Sequence, residues 1–220
     1  MTQVKLRSFV LLGICMVAAL TLGTAVGSAG TVSHSASLPL SSTNWASSMS
    51  FPKFDSQLGC LDSICFSLGG HTEGLAKFES LDAAPATVTM NLQATLTLQR
   101  PDATTLVVTI PVAQTVDNVT AFDTVIDFGG TSGKTYNGLS GDKTEGHCTS
   151  IAADFALFTG TGNIVLPCLA AGSSNGSGAG NLILQFNTSA SAGAQVTYHY
   201  STCEVPVREG TWGAIKSLYR

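Results

Sequence analysis

The chain has 220 residues, 44% of them hydrophobic and 11% charged, where ordinary soluble domains are about 25% charged. The hydrophobic share argues against intrinsic disorder. Fourteen acidic against ten basic residues leave no basic stripe for a phosphate backbone, which argues against nucleic acid as a partner.

Residues 1–29 read as a secretory signal helix. Lys5 and Arg7 are followed by the apolar run Phe9 to Leu22 and then by small residues through Ala29, the order of an export leader. The run is shorter than a bilayer requires and is followed by a Ser/Thr-rich stretch, so no permanent transmembrane anchor is expected after cleavage. Small residues permit a cut after Ala29 or after Ala25. Cys15, in Leu12-Gly13-Ile14-Cys15, reads as an ordinary leader residue, because Ile14 is too large for a lipoprotein cut. Removing Lys5 and Arg7 leaves a mildly acidic domain, expected to be exported through the Sec route and to be secreted or held at the cell surface.

Residues 30–204 read as one β domain. Alternation is clearest from Ala86 to Leu98, where Val88, Met90, Leu92, Ala94, Leu96 and Leu98 share one face and Thr, Asn and Gln share the other, the period of a half-buried strand. Arg100-Pro101-Asp102-Ala103 supplies turn chemistry, and Thr104–Val112 resumes as the second strand of a hairpin. Further strands are expected at Thr31–Leu38, Asn44–Ser50, Ser63–Leu68, Leu75–Leu81, Asn118–Asp127, Ala153–Phe158, Asn163–Pro167, Asn181–Asn187 and Gln195–Ser201, with a flexible loop over Ala171–Gly180. Many short strands with Gly-rich breaks and no alternation with long helices predict an all-β antiparallel sandwich, jelly-roll-like or Greek-key, of about eight to twelve strands.

Residues 205–220 form a separate tail. Pro206 breaks the last strand, Thr211 is positioned as an N-cap, and Trp212, Ile215 and Tyr219 recur at helical spacing, with Lys216 and Arg220 placed to favour the helix C-terminus. A short terminal helix docking on the sandwich and a recognition handle for export or envelope retention are both open. Either way the tail is too short to span a bilayer.

Several separated stretches carry a family resemblance: Leu38 to Trp45, Ser50 to Asp55 with Leu58-Gly59, Phe78 to Asp82 followed by Pro85 to Val88, Asp127 to Gly133, and Phe158 to Ile164. From about Ser33 to Tyr200 the chain resembles the choice-of-anchor E domain of bacterial exported proteins. The resemblance implies an exported β domain whose relatives carry interchangeable C-terminal sorting signals, and it brings no catalytic residues with it. This sequence departs from that pattern in its cysteines, and it carries neither a Pro-Glu-Pro box nor a Leu-Pro-x-Thr-Gly motif.

Candidate chemistry is sparse. Gly129-Gly130-Thr131-Ser132-Gly133-Lys134-Thr135 suggests a phosphate loop, but Phe128 stands where the motif's first Gly belongs and no helix is expected to follow, so a β-turn is the reading. Asp117, Asp123 and Asp127 are weak Ca²⁺ candidates, since Asp123 and Asp127 on one extended strand would be about 13 Å apart. His34, His71, His147 and His199 form no ligand pair. No cofactor and no catalytic residue is assigned. Tyr198 and Tyr200 share a strand face and are a possible glycan-stacking platform, whereas Trp45 reads as core.

Export would permit disulfides. Of Cys60, Cys65, Cys148, Cys168 and Cys203, a local Cys60–Cys65 bridge and a Cys148–Cys168 bridge are expected, which leaves Cys203 free or intermolecular. The expectation as a whole is a non-enzymatic structural or adhesion module of the envelope or extracellular space, with envelope or matrix components as partners, and with glycan binding as the alternative.

Overall fold

A computed structural model describes residues 29–203. The expected leader, apart from Ala29, and the tail residues Trp212, Ile215, Lys216, Tyr219 and Arg220 lie outside the described residues. Ten strands and one helix follow in order: β1 Gly30–Ser42, β2 Trp45–Pro52, β3 Cys60–Ser80, β4 Ala86–Gln99, β5 Thr105–Thr109, β6 Val112–Val119, β7 Gly133–Thr149, α1 Ala152–Phe158, β8 Asn163–Gly172, β9 Asn175–Ser177 and β10 Leu182–Ser201. One sheet has the order β1-β10-β3-β7; the other runs β2-β8-β4-β5, with β6 and β9 also paired to β4. Every ladder is antiparallel. The protein is therefore an all-β sandwich, as the alternating faces predict.

The core lies between the sheets because β3, β4, β8 and β10 bury every second residue over much of their length. Phe51 of β2, Ile64, Phe66 and Leu68 of β3, Leu96 and Leu98 of β4, Leu166 of β8, and Val196 and Tyr198 of β10 are among the members of the larger cluster. A second cluster, Ala76, Phe78, Val88, Met90 and Val119, fills the opposite end. The long β4 runs through both, which is why its alternation is the clearest in the sequence. Fully burying one such side chain contributes about 1.5–3 kcal/mol.

Several expected boundaries move. Ser63–Leu68 and all but the last residue of Leu75–Leu81 are parts of one 21-residue strand, β3, and all but the first residue of Asn181–Asn187, with Gln195–Ser201, are parts of β10. The small residues between them are not breaks. A Cβ on Gly70 would lie 2.4 Å from Leu96 Cδ1 and 2.9 Å from Thr109 Cγ2, so glycine lets the other sheet approach here. Ala190, Ala192 and Ala194 of β10 are likewise buried between the sheets.

Ala153–Phe158 is helix rather than strand. Ala152, Ala153 and Ala156 favour helix, Asp154 sits in its first turn, and a short apolar run cannot be assigned by periodicity alone. Thr104–Val112 breaks at Pro111, giving β5 and β6. The strand expected over Asn118–Asp127 ends at Val119, and a loop follows. Asn175–Ser177, inside the expected flexible loop, pairs with β4. Most of β7 carries no clear strand signal in the sequence; this Gly-rich edge strand owes its extended form to a 15-pair register against β3.

Candidate functional site

The outer face of the four-stranded sheet is built by the odd-numbered residues of β1, β10 and β3 and their partners on β7. Register places Ser35 opposite Gln195, Gln195 opposite Ser67, and Ser67 opposite Gly146. One step along, Ser37, Gly193, Gly69 and Thr144 are aligned in the same way. The paired glycines leave a shallow depression of about 470 Å³ rimmed by Ser35, Ser37, Ser67, Thr144 and Gln195. Its lining is hydroxyl, amide and backbone, with no formal charge.

Charged groups appear at one margin of this face. His71 Nδ1 lies 2.8 Å from Asp142 Oδ1 across the β3/β7 ladder, and its Nε2 lies 3.5 Å from Glu73 Oε2. The hydrogen bond to Asp142 raises the imidazole pKa, and Glu73 adds to the effect. Asp142 is largely exposed. The pair is open to water, with the His71 side chain 32% exposed.

The outer face of the second sheet carries an amide ladder. Gln114 Nε2 donates to Asn91 Oδ1 at 2.9 Å, and Asn91 Nδ2 donates to Asn175 Oδ1 at 3.0 Å, which joins β6, β4 and β9. Thr87 donates to Asn118 Oδ1 at 2.7 Å beside it. These polar groups satisfy one another and keep the face neutral.

Arg100, Asp154 and Glu79 are engaged in holding loops. Arg100, at the end of β4, grips Asp154 of α1 through Nε at 2.7 Å and Nη2 at 2.9 Å, and Thr149 donates to the same carboxylate at 2.7 Å. Glu79, fully buried, accepts from the Phe128 amide at 2.7 Å and from Ser132 Oγ at 2.6 Å. It thereby fastens the loop between β6 and β7. Lys77 Nζ lies 5.7 Å from the centre of the Phe128 ring.

The expected site residues separate. Tyr198 is not a platform: it is fully buried, it donates to the Pro52 carbonyl at 2.8 Å, and burial pushes its phenol up to about 12. Tyr200, partly buried, packs on Phe54 with ring centres 5.4 Å apart. The tyrosines do share a face, as alternation requires, but that face is the interior. Trp45 packs against the core and donates to the Ala190 carbonyl at 3.2 Å.

The three aspartates hold different partners. Asp117 accepts from Lys134 Nζ at 2.7 Å and from the Tyr136 hydroxyl. Asp123 accepts the Val125 and Thr131 amides at 3.0 and 3.3 Å, and these backbone bonds lower its pKa. Asp127 accepts the Gly129 amide at 2.8 Å. Asp123 and Asp127 lie on a loop, not on one strand face. Among the described residues no group of three or more His, Cys, Asp or Glu could hold a metal ion. Gly129 to Thr135 leads into β7 rather than a helix, so it lacks the converging helix amides that cradle phosphate.

The disulfides are Cys60–Cys203 and Cys65–Cys148, with Cys168 free and buried. This corrects both expected bridges. Cys60 and Cys65 lie on the same extended strand, five residues or about 17 Å apart. Cys65 and Cys148 are direct cross-strand partners. Cys168 points from β8 into the core, where burial raises its thiol pKa to about 11.

Sequence reasoning missed His71 with Asp142, Arg100 with Asp154, and Glu79. Period 2 places His71 and Glu73 on one face, but Asp142 and Asp154 belong to elements that the sequence signal left unassigned or misassigned.

No family model matches this chain, and no curated protein matches it. Similar solved structures come from infectious bursal disease virus. The VP2 subviral particle is 15% identical over 81% of this chain and 38% of that chain, with a TM-score of 0.18. The Gt strain is 14% identical over 81% of this chain and 43% of that chain, with a TM-score of 0.16. The Gx strain is 12% identical over 88% of this chain and 47% of that chain, with a TM-score of 0.18. This chain thus spans less than half the length of those chains, and likeness at such TM-scores carries no argument about function.

Proposed function

We propose that the protein is an exported structural or adhesion module of the cell envelope or extracellular space, without catalytic activity, of the choice-of-anchor E type. The observation that carries this reading is the pair of disulfides, which close sequence separations of 143 and 83 residues across strands already paired in one sheet. Such bridges persist in oxidising compartments and are rare in reducing ones. The charged side chains described above are engaged in bonds that hold the fold, which supports a non-catalytic role.

Glycan binding is the second reading, favoured by the uncharged hydroxyl-and-amide lining of the depression around Gln195. A neutral, hydroxyl-rich ligand matches that lining better than an ionic one.

The test is production with the native leader, followed by intact-mass analysis of the fraction outside the cytoplasm, beside glycan and hydrolase panels. A mass beginning at Gly30 with both disulfides formed is the expected result. Uncleaved protein retained inside with reduced thiols overturns export. Turnover abolished by His71→Ala overturns the non-catalytic reading. Saturable glycan binding lost in Gln195→Ala and Ser67→Ala favours the second reading over the first.

A further inference from the structure

The two edges of the four-stranded sheet differ in kind. β7, at one edge, carries Lys134, Asp142, Lys143 and Glu145, the charges that commonly block edge-to-edge pairing. β1, at the other, is 13 residues long, and among the described residues no strand pairs with it on the side away from β10. It continues through Thr43 and Asn44 into β2, which is the edge of the second sheet. Residues 30–52, which form this side of the sandwich, contain no Asp, Glu, Lys or Arg. A long uncharged edge offers its free amides and carbonyls to another strand.

We infer that β1 pairs with β1 of a second copy of this chain, antiparallel about a two-fold axis at Ser35, so that two four-stranded sheets become one continuous sheet. The register follows from β1 itself. Outward residues must meet outward residues, because a slip by one would turn the buried face to solvent. Pro39 has no amide to donate and bounds the pairing at one end, and the β1/β10 register breaks just there, between Leu38 and Ser41. Centring on Ser35 uses Val32 to Leu38 and excludes Pro39.

This register sets Ser33 opposite Ser37 of the second copy on the outer face. On the inner face it sets Val32 opposite Leu38 and the larger His34 opposite the small Ala36. Val32, His34, Ala36 and Leu38 are only half-buried in the single chain, and Ala36 and Leu38 already pack against the core. Pairing covers their remaining exposure. Centring on His34 would set two imidazoles face to face, and centring on Ala36 would bring Pro39 into the ladder. The contact is isologous and closes as a dimer. It does not depend on where the protein resides.

The test is sedimentation of the purified protein from about 1 to 100 μM, with hydrogen exchange over β1. A concentration-dependent dimer is expected, with amides between Thr31 and Leu38 protected only at high concentration. Ser35→Lys and Ser35→Asp each place like charges opposite one another at the axis and weaken the dimer about tenfold. An equimolar mixture of the two restores it, whereas Ser140→Lys on β7 leaves it unchanged. If Ser35 variants fold poorly, Ser33→Lys with Ser37→Lys, mixed with Ser33→Asp with Ser37→Asp, supplies the same complementation, because residue 33 faces residue 37 of the second copy. A monomer throughout the range overturns the inference, as does a dimer indifferent to Ser35 charge or loss without rescue by mixing. A monomer whose β1 amides lose protection on deletion of residues 205–220 also overturns it, by assigning the edge to the chain's own tail.

Discussion

Cys60 and Cys203 are bonded across 143 residues of sequence, tying the first residue of β3 to the segment just beyond β10. Those strands are already neighbours along nearly their whole length, so in the folded state the bond fastens an end of an existing ladder. Its stabilising effect lies chiefly in restricting the unfolded chain. Cys60→Ser with Cys203→Ser should lower stability by about 2–4 kcal/mol, read as a shift of the urea midpoint. Non-reducing peptide maps should join Cys60 to Cys203 and Cys65 to Cys148. Cys168, buried and with its thiol pKa raised to about 11, should resist alkylation at neutral pH until the domain unfolds.

Arg100 and Asp154 make the most buried ion pair described, with side chains 19% and 6% exposed. Arg100→Ala strands a buried carboxylate and should cost about 3–5 kcal/mol. The guanidinium holds the Asp154 pKa below its ordinary value, with help from Thr149. A carboxyl group depressed in this way contributes stability that is present above its unfolded pKa of about 4 and is lost as pH falls through the folded value. Urea unfolding between about pH 5 and 2 should therefore show a steeper acid loss in the wild type than in Arg100→Ala.

His71 behaves in the opposite sense. Its pKa is raised by Asp142 and then by Glu73, so its contribution is full below about 6.5 and is lost as pH rises through the folded value. With a third of the side chain exposed and Asp142 largely in water, the effect on global stability should be small. Proton titration of the imidazole should show the raised pKa in the wild type and a fall in Asp142→Asn.

Tyr198 gives a clean separation of core from binding roles. Tyr198→Phe deletes the donor to the Pro52 carbonyl and should cost about 1–2 kcal/mol. Tyr198→Ala opens a cavity and should cost about 3–5 kcal/mol. Thermal unfolding should report both losses, and any glycan affinity should fall only in proportion to unfolded protein.

Much of the fold is legible in the sequence because alternation on a half-buried strand is a local signal. Val88 to Leu98 could only face a core, and Arg100 to Ala103 could only turn. The all-β class and the β4–β5 hairpin follow from these. The sequence also determined that five cysteines follow residue 29 and that residues 30–52, the β1–β2 side, contain no Asp, Glu, Lys or Arg. Tertiary structure decided the rest. Cys65 meets Cys148, and His71 meets Asp142, because β7 takes its extended form from the β3 ladder rather than from its own Gly-rich residues. Gly70 and Ala192 lie within continuous strands because a facing sheet leaves no room for more, and Tyr198 is core rather than platform because Phe54 and Pro52 close over it. Period 2 says which residues share a face; only the packing of the second sheet says whether that face is inside.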